Sequence, residues 1–341
     1  MKLPTAQVQA LVSAALQRAG ANLAMAEATA TALVLAESQG LGSHGLSRVG
    51  QYSSHLRNGR ANGAAQPRVL RRKGGALVVD ADGGLAFAAC AFAVQEAVAA
   101  AREHGVAIAG VVRSHHGGVL VDHLRAVAAA GMVGLGFANS PAAMPAAGGK
   151  HPVFGTNPVA AIFPRRALAG APAGSGDPLM IDLSLSEVAR GKLMVAAKAG
   201  QAIPLGWALD ADGHATTDPQ AGMAGSMLPL GAATSPKGAM LALVVELLAT
   251  AVIGANFGFE ASSFFVDAGN RPGIGQAFVV IDPGALAGNS SFLDRIEVLL
   301  AEMLQDEGVR LPGARREGLR RRAEAEGIEV PEAMLAAWRA A

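Results

Sequence analysis

From residue 76 to residue 281 short apolar runs alternate with longer helical stretches, and no other feature restricts the fold so strongly. Ala76–Asp80, Val106–Val112, Val133–Ala138, Pro158–Phe163, Leu179–Asp182 and Ala277–Ile281 are too short for ordinary helices and are rich in Val, Ile and small residues. Runs of this kind read as buried strands. Helices are expected between them at Phe87–Glu103, Leu120–Ala130, Ser186–Ala199 and Gly238–Val252, with a Gly/Ala/Pro-rich loop at Ala169–Pro178. Both ends read as helical. Val8, Leu11, Val12, Ala15 and Leu16 share helical spacing, and Asn22 is placed to cap a second helix running to Glu37. A third is expected from Ser43 to Arg57, and the tail is helical from Ser290. The pattern predicts an α/β protein with helical terminal segments around a central sheet.

Composition narrows the function classes. With 341 residues, 51% of them apolar, the chain can bury a large core in two lobes. No apolar run reaches the roughly 18 residues of a membrane span, and Met1–Thr5 leads into an amphipathic pattern without a signal-peptide core. The single cysteine, Cys90, rules out an intramolecular disulfide and suits a reducing cytoplasm. A net charge of +1 and 4% aromatic residues argue against a nucleic-acid surface. The cluster Arg315, Arg316, Arg320, Arg321 and Arg322 sits among Glu317, Glu324 and Glu326, as on a solvated helix face.

Gly40, Gly42 and Gly45 match the spacing G-x-G-x-x-G, but they follow a helix instead of a strand. A dinucleotide turn needs a strand before it and an acidic residue about twenty positions on. Arg60 stands there, so the Rossmann reading is rejected.

Four segments carry ionisable or polar groups suited to chemistry. Ser43 is placed to cap a helix on which His44 and Arg48, four apart, share a face. There a guanidinium can take a carboxylate in two parallel hydrogen bonds while an imidazole moves a proton; a capped surface helix with an exposed His and Arg fits the same residues. His115 and His116 precede Gly117 and Gly118 at the end of a strand, which suits a ligand crevice, a plain turn, or a metal site. The metal reading is disfavoured, because adjacent histidines point apart and His123 supplies no close third ligand. Asn139, Ser140, Gly155, Thr156 and Asn157 form polar loops that can hold a carboxylate, ribose or phosphate, or simply turn the chain. Ser235 fits an N-cap and Pro236 position N1, so Lys237 falls in the first helical turn, where a cation calls for a neighbouring anion. Asp182 ends a strand, where it can orient His44 or cap the next helix.

Taken together and in this order, several segments make the chain similar to the malate/L-lactate dehydrogenase-like family, which includes ureidoglycolate dehydrogenase and Δ1-piperideine-2-carboxylate reductase. They are Ser43–Gly45 with Arg48 and Tyr52, Ser114–Gly117, Asn139–Ser140, Gly155–Pro158, Asp182–Ser186, Ile203–Trp207, Pro236–Gly238 and Leu311–Gly313. The resemblance implies an NAD(P)-binding sheet domain without the Rossmann turn at residues 111–289, and a substrate lobe of helices at 1–110 and 290–341. It further implies a homodimer with a small carboxylate substrate in a cleft between lobes. Carried over by position, His44 becomes the proton-transfer residue, supported by Ser43 and Asp182, with His116 competing for the role and Arg48 and Thr156 on the substrate. His116, Gly117, Gly118, Val119, Leu120, Ser140, Asp182, Leu183, Ser184, Lys237, Gly238, Pro312, Gly313 and Arg315 are the cofactor contacts it implies. Two departures bear on that pocket: Gly238 is followed by Ala239 and Met240 where the family often has Gly-Tyr-Gly, and Leu183–Ser186 replaces a frequent x-Ala-Thr-Ser.

The expected reaction moves a hydride to or from the α carbon of a 2-oxo, 2-hydroxy or cyclic 2-imino acid. NADP is preferred to NAD because Arg315 and Arg316 can meet a 2′-phosphate. His115–His116 followed by Asp122 leans slightly towards Δ1-piperideine- or Δ1-pyrroline-2-carboxylate. A hydrolase built on Ser43, His44 and Asp182 is disfavoured, since adjacent Ser and His meet with difficulty and no G-x-S-x-G elbow is present. A pure binding protein is the remaining alternative.

Overall fold

A computed structural model of the chain describes residues 1–166 and 176–340. Its principal sheet has seven strands: β1 (Arg68–Lys73), β2 (Ala76–Asp80), β3 (Val106–Ser114), β4 (Val133–Ala138), β5 (Val159–Phe163), β6 (Leu179–Leu183) and β7 (Ile274–Ile281). The helices are α1 (Thr5–Arg18), α2 (Leu23–Ser38), α3 (Val49–Arg57), α4 (Ala86–His104), α5 (Arg125–Ala129), α6 (Arg190–Ala199), α7 (Pro219–Ala224), α8 (Lys237–Ala249), α9 (Asn289–Met303), α10 (Ala314–Glu326) and α11 (Glu332–Ala340).

The strands lie in the order β1-β2-β3-β7-β4-β5-β6. Only β2 and β3, joined through α4, run parallel; the other neighbours are antiparallel. The late strand β7 therefore lies in the middle of the sheet. Its near-continuous burial follows from that place, with α4 and α8 both packing against it. Register brings the ends of β3, β4 and β6 to the same sheet margin as the starts of β5 and β7, since Ser114 faces Ile274, Ala138 faces Gln276, and Val159 faces both Phe137 and Leu183. The loops that leave β3, β4 and β6 and those that enter β5 and β7 border one cleft.

Three apolar cores hold the elements. One joins α4 to the sheet through Cys90, Ala93, Val111 and Phe278. A second packs the two chain ends together through Val8, Leu16, Leu33, Tyr52, Ile328 and Trp338. There Lys2 and Leu3 pair with Glu329 and Ile328. A third, around Leu185, Leu193, Ile203, Met227 and Val245, supports α6 and α8.

Several boundaries differ from the sequence reading. The break expected at residue 110 falls inside β3, so β1 and β2 also belong to the sheet and not to a helical lobe. β1 escaped notice because its Arg and Lys side chains give no apolar alternation; charge on a sheet edge discourages pairing with other chains. The helix expected from Ser43 begins instead as two 3-10 turns, Gly42–His44 and Leu46–Arg48, before α3. Residues 120–124 are likewise 3-10, ahead of α5. The helix expected from Ser186 starts at Arg190, because Ser186 bridges to Pro229. Asn22 does cap α2, accepting the Met25 amide at 2.9 Å. Most of the loop expected at Ala169–Pro178 lies outside the described residues.

Candidate active site

The shared sheet margin borders a cleft of about 1560 Å³, more than the roughly 300–1,000 Å³ that one small ligand requires. It has room for a dinucleotide beside a small acid. One wall is the turn Ser43–Arg48. Gly45 is required there because a Cβ would stand 2.3 Å from Glu37 Oε2, and Glu37 accepts the Leu46 amide at 2.8 Å. The glycines of the G-x-G-x-x-G spacing thus lie in a tight turn against the end of α2.

That turn replaces the predicted cap geometry. Ser43 caps nothing; its hydroxyl meets His44 Nδ1 at 3.0 Å, so these neighbours do touch, contrary to the sequence expectation. The Arg48 Nε donates to the Ser43 carbonyl at 2.7 Å and Nη1 donates to Gln51 Oε1 at 2.7 Å. Nη2 and one Nη1 hydrogen remain for a ligand, and the guanidinium lies 5.1 Å from the Phe265 ring centre.

At the end of β3, Arg113 pairs with Asp80 where the chain leaves the sheet. His115 and His116 then point apart. His115 is buried behind the wall with Nε2 2.9 Å from His55 Nδ1, and burial drives its pKa down to about 3. His116 faces the cleft. Its Nδ1 meets the Tyr52 hydroxyl at 2.6 Å, and its ring stacks on His44 at 5.6 Å. Burial, then Arg48 and His44, push the His116 pKa well below the usual histidine value. For His44 burial acts first, then Arg48 and Arg316, lowering it to about 4. Both rings are neutral at pH 7, and a proton on one opposes a proton on the other. His123 meets the Gly117 carbonyl at 2.7 Å, which separates it from any cluster with His115 and His116.

Asp182 does not orient His44. Its carboxylate accepts the Val121 amide at 3.3 Å and meets Arg316 Nη1 at 3.5 Å, both long contacts, and burial outweighs Arg316 to raise its pKa. This under-satisfied carboxylate at the cleft margin fits the hydroxyls of a ribose. Ser140, which accepts the Thr156 amide at 3.1 Å, and the backbone of Gly117–Leu120 line the same space, as do Gly118 and Ser184.

Ser43, His44, Arg48, His116, Thr156 and Asp182 therefore converge, whereas Lys237, Gly238, Leu183, Pro312, Gly313 and Arg315 do not line this cleft. Lys237 is exposed, and its amide donates to Ser235 Oγ at 3.2 Å, with Pro236 at the cap one position away from the expected register. Gly238 packs on backbone: a Cβ would lie 2.0 Å from the Leu230 carbonyl oxygen. Gly313 has φ +92° at the start of α10. Arg316, one residue beyond Arg315, turns inward. Two further arginines of that helix are paired rather than simply solvated, Arg320 with Glu317 and Glu324, and Arg321 with Asp177. Sequence reasoning missed Gln51, Phe265 and Arg190. Arg190 had a signal, being a cation in the first turn of a helix.

The sequence profile of the malate/L-lactate dehydrogenase family matches residues 3–338. The chain is 47% identical to the (2R)-3-sulfolactate dehydrogenase (NADP(+)) of Chromohalobacter salexigens, across 98% of this chain and 96% of the relative. It is 37% identical to the Δ1-pyrroline-2-carboxylate/Δ1-piperideine-2-carboxylate reductase of Pseudomonas putida, across 98% and 95%. The crystal structure of Δ1-piperideine-2-carboxylate reductase from Pseudomonas syringae superimposes with a TM-score of 0.91 at 34% identity, covering 100% of this chain and 99% of that one.

Proposed function

Because the chain belongs to the malate/L-lactate dehydrogenase family and is an oxidoreductase, we propose that its cleft binds NADP and a short 2-oxo or 2-hydroxy acid side by side. The observation that carries this reading is the meeting of His44, His116, Arg48 and Asp182 at one sheet margin. When bound, the nicotinamide supplies or accepts the hydride.

The chain's own groups hold the acid and move the proton. Arg48 grips the carboxylate through Nη1 and Nη2, fixed from behind by Ser43 and Gln51. His44 Nε2 faces the oxygen on C2, because Nδ1 is engaged with Ser43. The neutral imidazole takes the hydroxyl proton in oxidation, and its conjugate acid returns it in reduction. His116, held by Tyr52, packs against His44 and sets its orientation. Thr156 completes the substrate wall. Asp182 accepts from ribose, Gly117–Leu120, Ser140 and Ser184 line the cofactor's path through a non-Rossmann margin, and Arg316 meets the 2′-phosphate that distinguishes NADP.

A cyclic 2-imino acid is the second reading, favoured by the reductase relatives at 37% identity and below. Following NADPH and NADH absorbance with 3-sulfopyruvate, oxaloacetate, pyruvate, Δ1-pyrroline-2-carboxylate and Δ1-piperideine-2-carboxylate separates the readings. Turnover of none of these acids defeats both.

The same reading makes the protein a homodimer. On α8, Met240, Leu241, Val244 and Leu247 are exposed while Ala242 and Val245 fill the third core, so the helix has an apolar outer face that this chain leaves uncovered. Light scattering on Val244→Glu is expected to show monomers where the parent chain is dimeric. Among the described residues no helix is long and apolar enough to cross a membrane. The lone, buried Cys90 thiol accords with a cytoplasmic setting.

A further inference from the structure

Arg190 opens α6 on the cleft wall facing the Ser43–Arg48 turn. It is half-buried, yet among the described residues its guanidinium meets no carboxylate and no carbonyl; its recorded contact is the Phe265 ring, whose centre is 5.8 Å away. The Arg48 guanidinium lies 5.1 Å from the centre of that same ring. The two forks are therefore separated by no more than those distances combined, and both lie beside the same aromatic ring. A three- or four-carbon chain bearing an acid group at each end is the size of ligand that two guanidinium groups within that limit can hold together, each end closing on its arginine through N–H···O contacts of about 2.8 Å.

Energetics point the same way. Taking a guanidinium out of water costs far more than one ring contact returns, and at the first turn of a helix the dipole opposes a cation as well. A bound anion offsets both costs. A second cation, Lys192, also lines this stretch, 6.0 Å from the Trp207 ring centre.

We propose that Arg190 reads a second acid group, so that the cleft selects short 2-oxo or 2-hydroxy acids with a carboxylate or sulfonate next to the reacting centre. The proposal rests on the reading of the cleft as a 2-oxo acid site. Arg48 fixes the carboxylate on C2, and Arg190 the acid group on C3, which draws the C2 carbon across the Phe265 face towards His44.

The test compares kcat/KM for oxaloacetate, 3-sulfopyruvate and pyruvate, with NADPH saturating, in the parent chain, Arg190→Gln and Arg190→Lys. The parent chain is expected to favour a diacid over pyruvate. Arg190→Gln lowers the diacid-to-pyruvate ratio by about ten- to hundred-fold, the worth of one charge-assisted contact, mainly through KM. Arg190→Lys recovers part of that ratio, which a purely structural role would not produce, and thermal melting checks that all three chains fold alike. The two diacids show whether the second group is carboxylate or sulfonate. A ratio unmoved by Arg190→Gln overturns the proposal while leaving the 2-oxo acid reading standing. A loss that follows the NADPH concentration also overturns it, by placing Arg190 on a cofactor phosphate. Failure of the parent chain to reduce any of the three removes the 2-oxo acid reading itself.

Discussion

The turns Ser43–Arg48 and Ser235–Gly238 each open a helix and carry a cation, and they face different surroundings. At Ser43–Arg48 the chain folds as consecutive 3-10 turns tucked against Glu37, so His44 and Arg48 enter a cleft that many other segments also line. At Ser235–Gly238 the chain passes straight into α8, and Lys237 extends into solvent. The first turn is held in place by other elements; the second completes only its own helix. A charged group becomes chemically useful where several elements together take it out of water, since there its attraction for a ligand is left unscreened.

The sharpest way to break this contrast is to remove the imidazole. His44→Ala is expected to lower kcat by about 10²–10⁴-fold, the worth of a positioned proton-transfer group, with smaller change in KM. His116→Ala should cost less, because its Nδ1 is engaged with Tyr52 and it acts by packing on His44. Steady-state kinetics of both variants decide the matter: the opposite ranking would exchange their roles. Next in size is Arg48→Gln, expected to lower kcat/KM for the acid by about ten- to hundred-fold through KM. An unaltered KM would mean that the carboxylate is held elsewhere.

The cleft wall should also leave its mark on stability. Folding lowers His44 to about 4 and His115 to about 3, burial being the first cause in each, while both titrate near 6.5 when unfolded. Below pH 6.5 the unfolded chain thus binds more protons than the native one. Stability is complete above that value and falls as pH drops from 6.5 towards 4, at about 1.4 kcal/mol per pH unit for each such histidine. Melting temperatures between pH 7.5 and 4.5 test this, and a flat profile would contradict the buried neutral pair. At the other turn, Gly238→Ala should act through packing alone. A methyl group 2.0 Å from the Leu230 carbonyl forces the backbone to shift, at about 1–3 kcal/mol, seen as a lower Tm with unchanged KM for NADPH.

How much was legible beforehand depended on the range of the cause. β4 is legible to the residue because Val133–Ala138 is apolar and lies between the Gly131 turn and Asn139–Pro141, and the Asn22 cap is legible because a cap is a local hydrogen bond. β1 was invisible because its stabilisation comes from pairing with β2, not from its own side chains. At the site, the motif residues His44, Arg48, His116, Thr156 and Asp182 were named in advance, although their partners were not. Asp182 is read from sequence either as orienting His44 or as capping the next helix, and instead meets Val121 and Arg316, since which loops share a margin is decided by strand order. Arg190 shows the limit most plainly. The helix-dipole argument that selected Lys237 applies to it equally, but only β-sheet register and the position of Phe265 distinguish the buried cation from the solvated one.

The smallest expected effect is the most direct check on that distinction. Lys237→Ala removes a charge that water already satisfies, so kcat and the KM for acid and NADPH should stay within about two-fold, as for most surface substitutions. Salt should not change this, because no anion in the cleft is paired to Lys237 across a screened gap. The measurement is worth making with dimer and monomer in parallel, using Val244→Glu as the monomeric background. Lys237 opens the same helix whose uncovered face is proposed to meet a second copy, and a tenfold rise in the NADPH KM confined to the dimer would place Lys237 at the neighbouring copy's cofactor. An unchanged KM in both backgrounds leaves the proton, the acid and the dinucleotide to the Ser43–Arg48 side of the molecule.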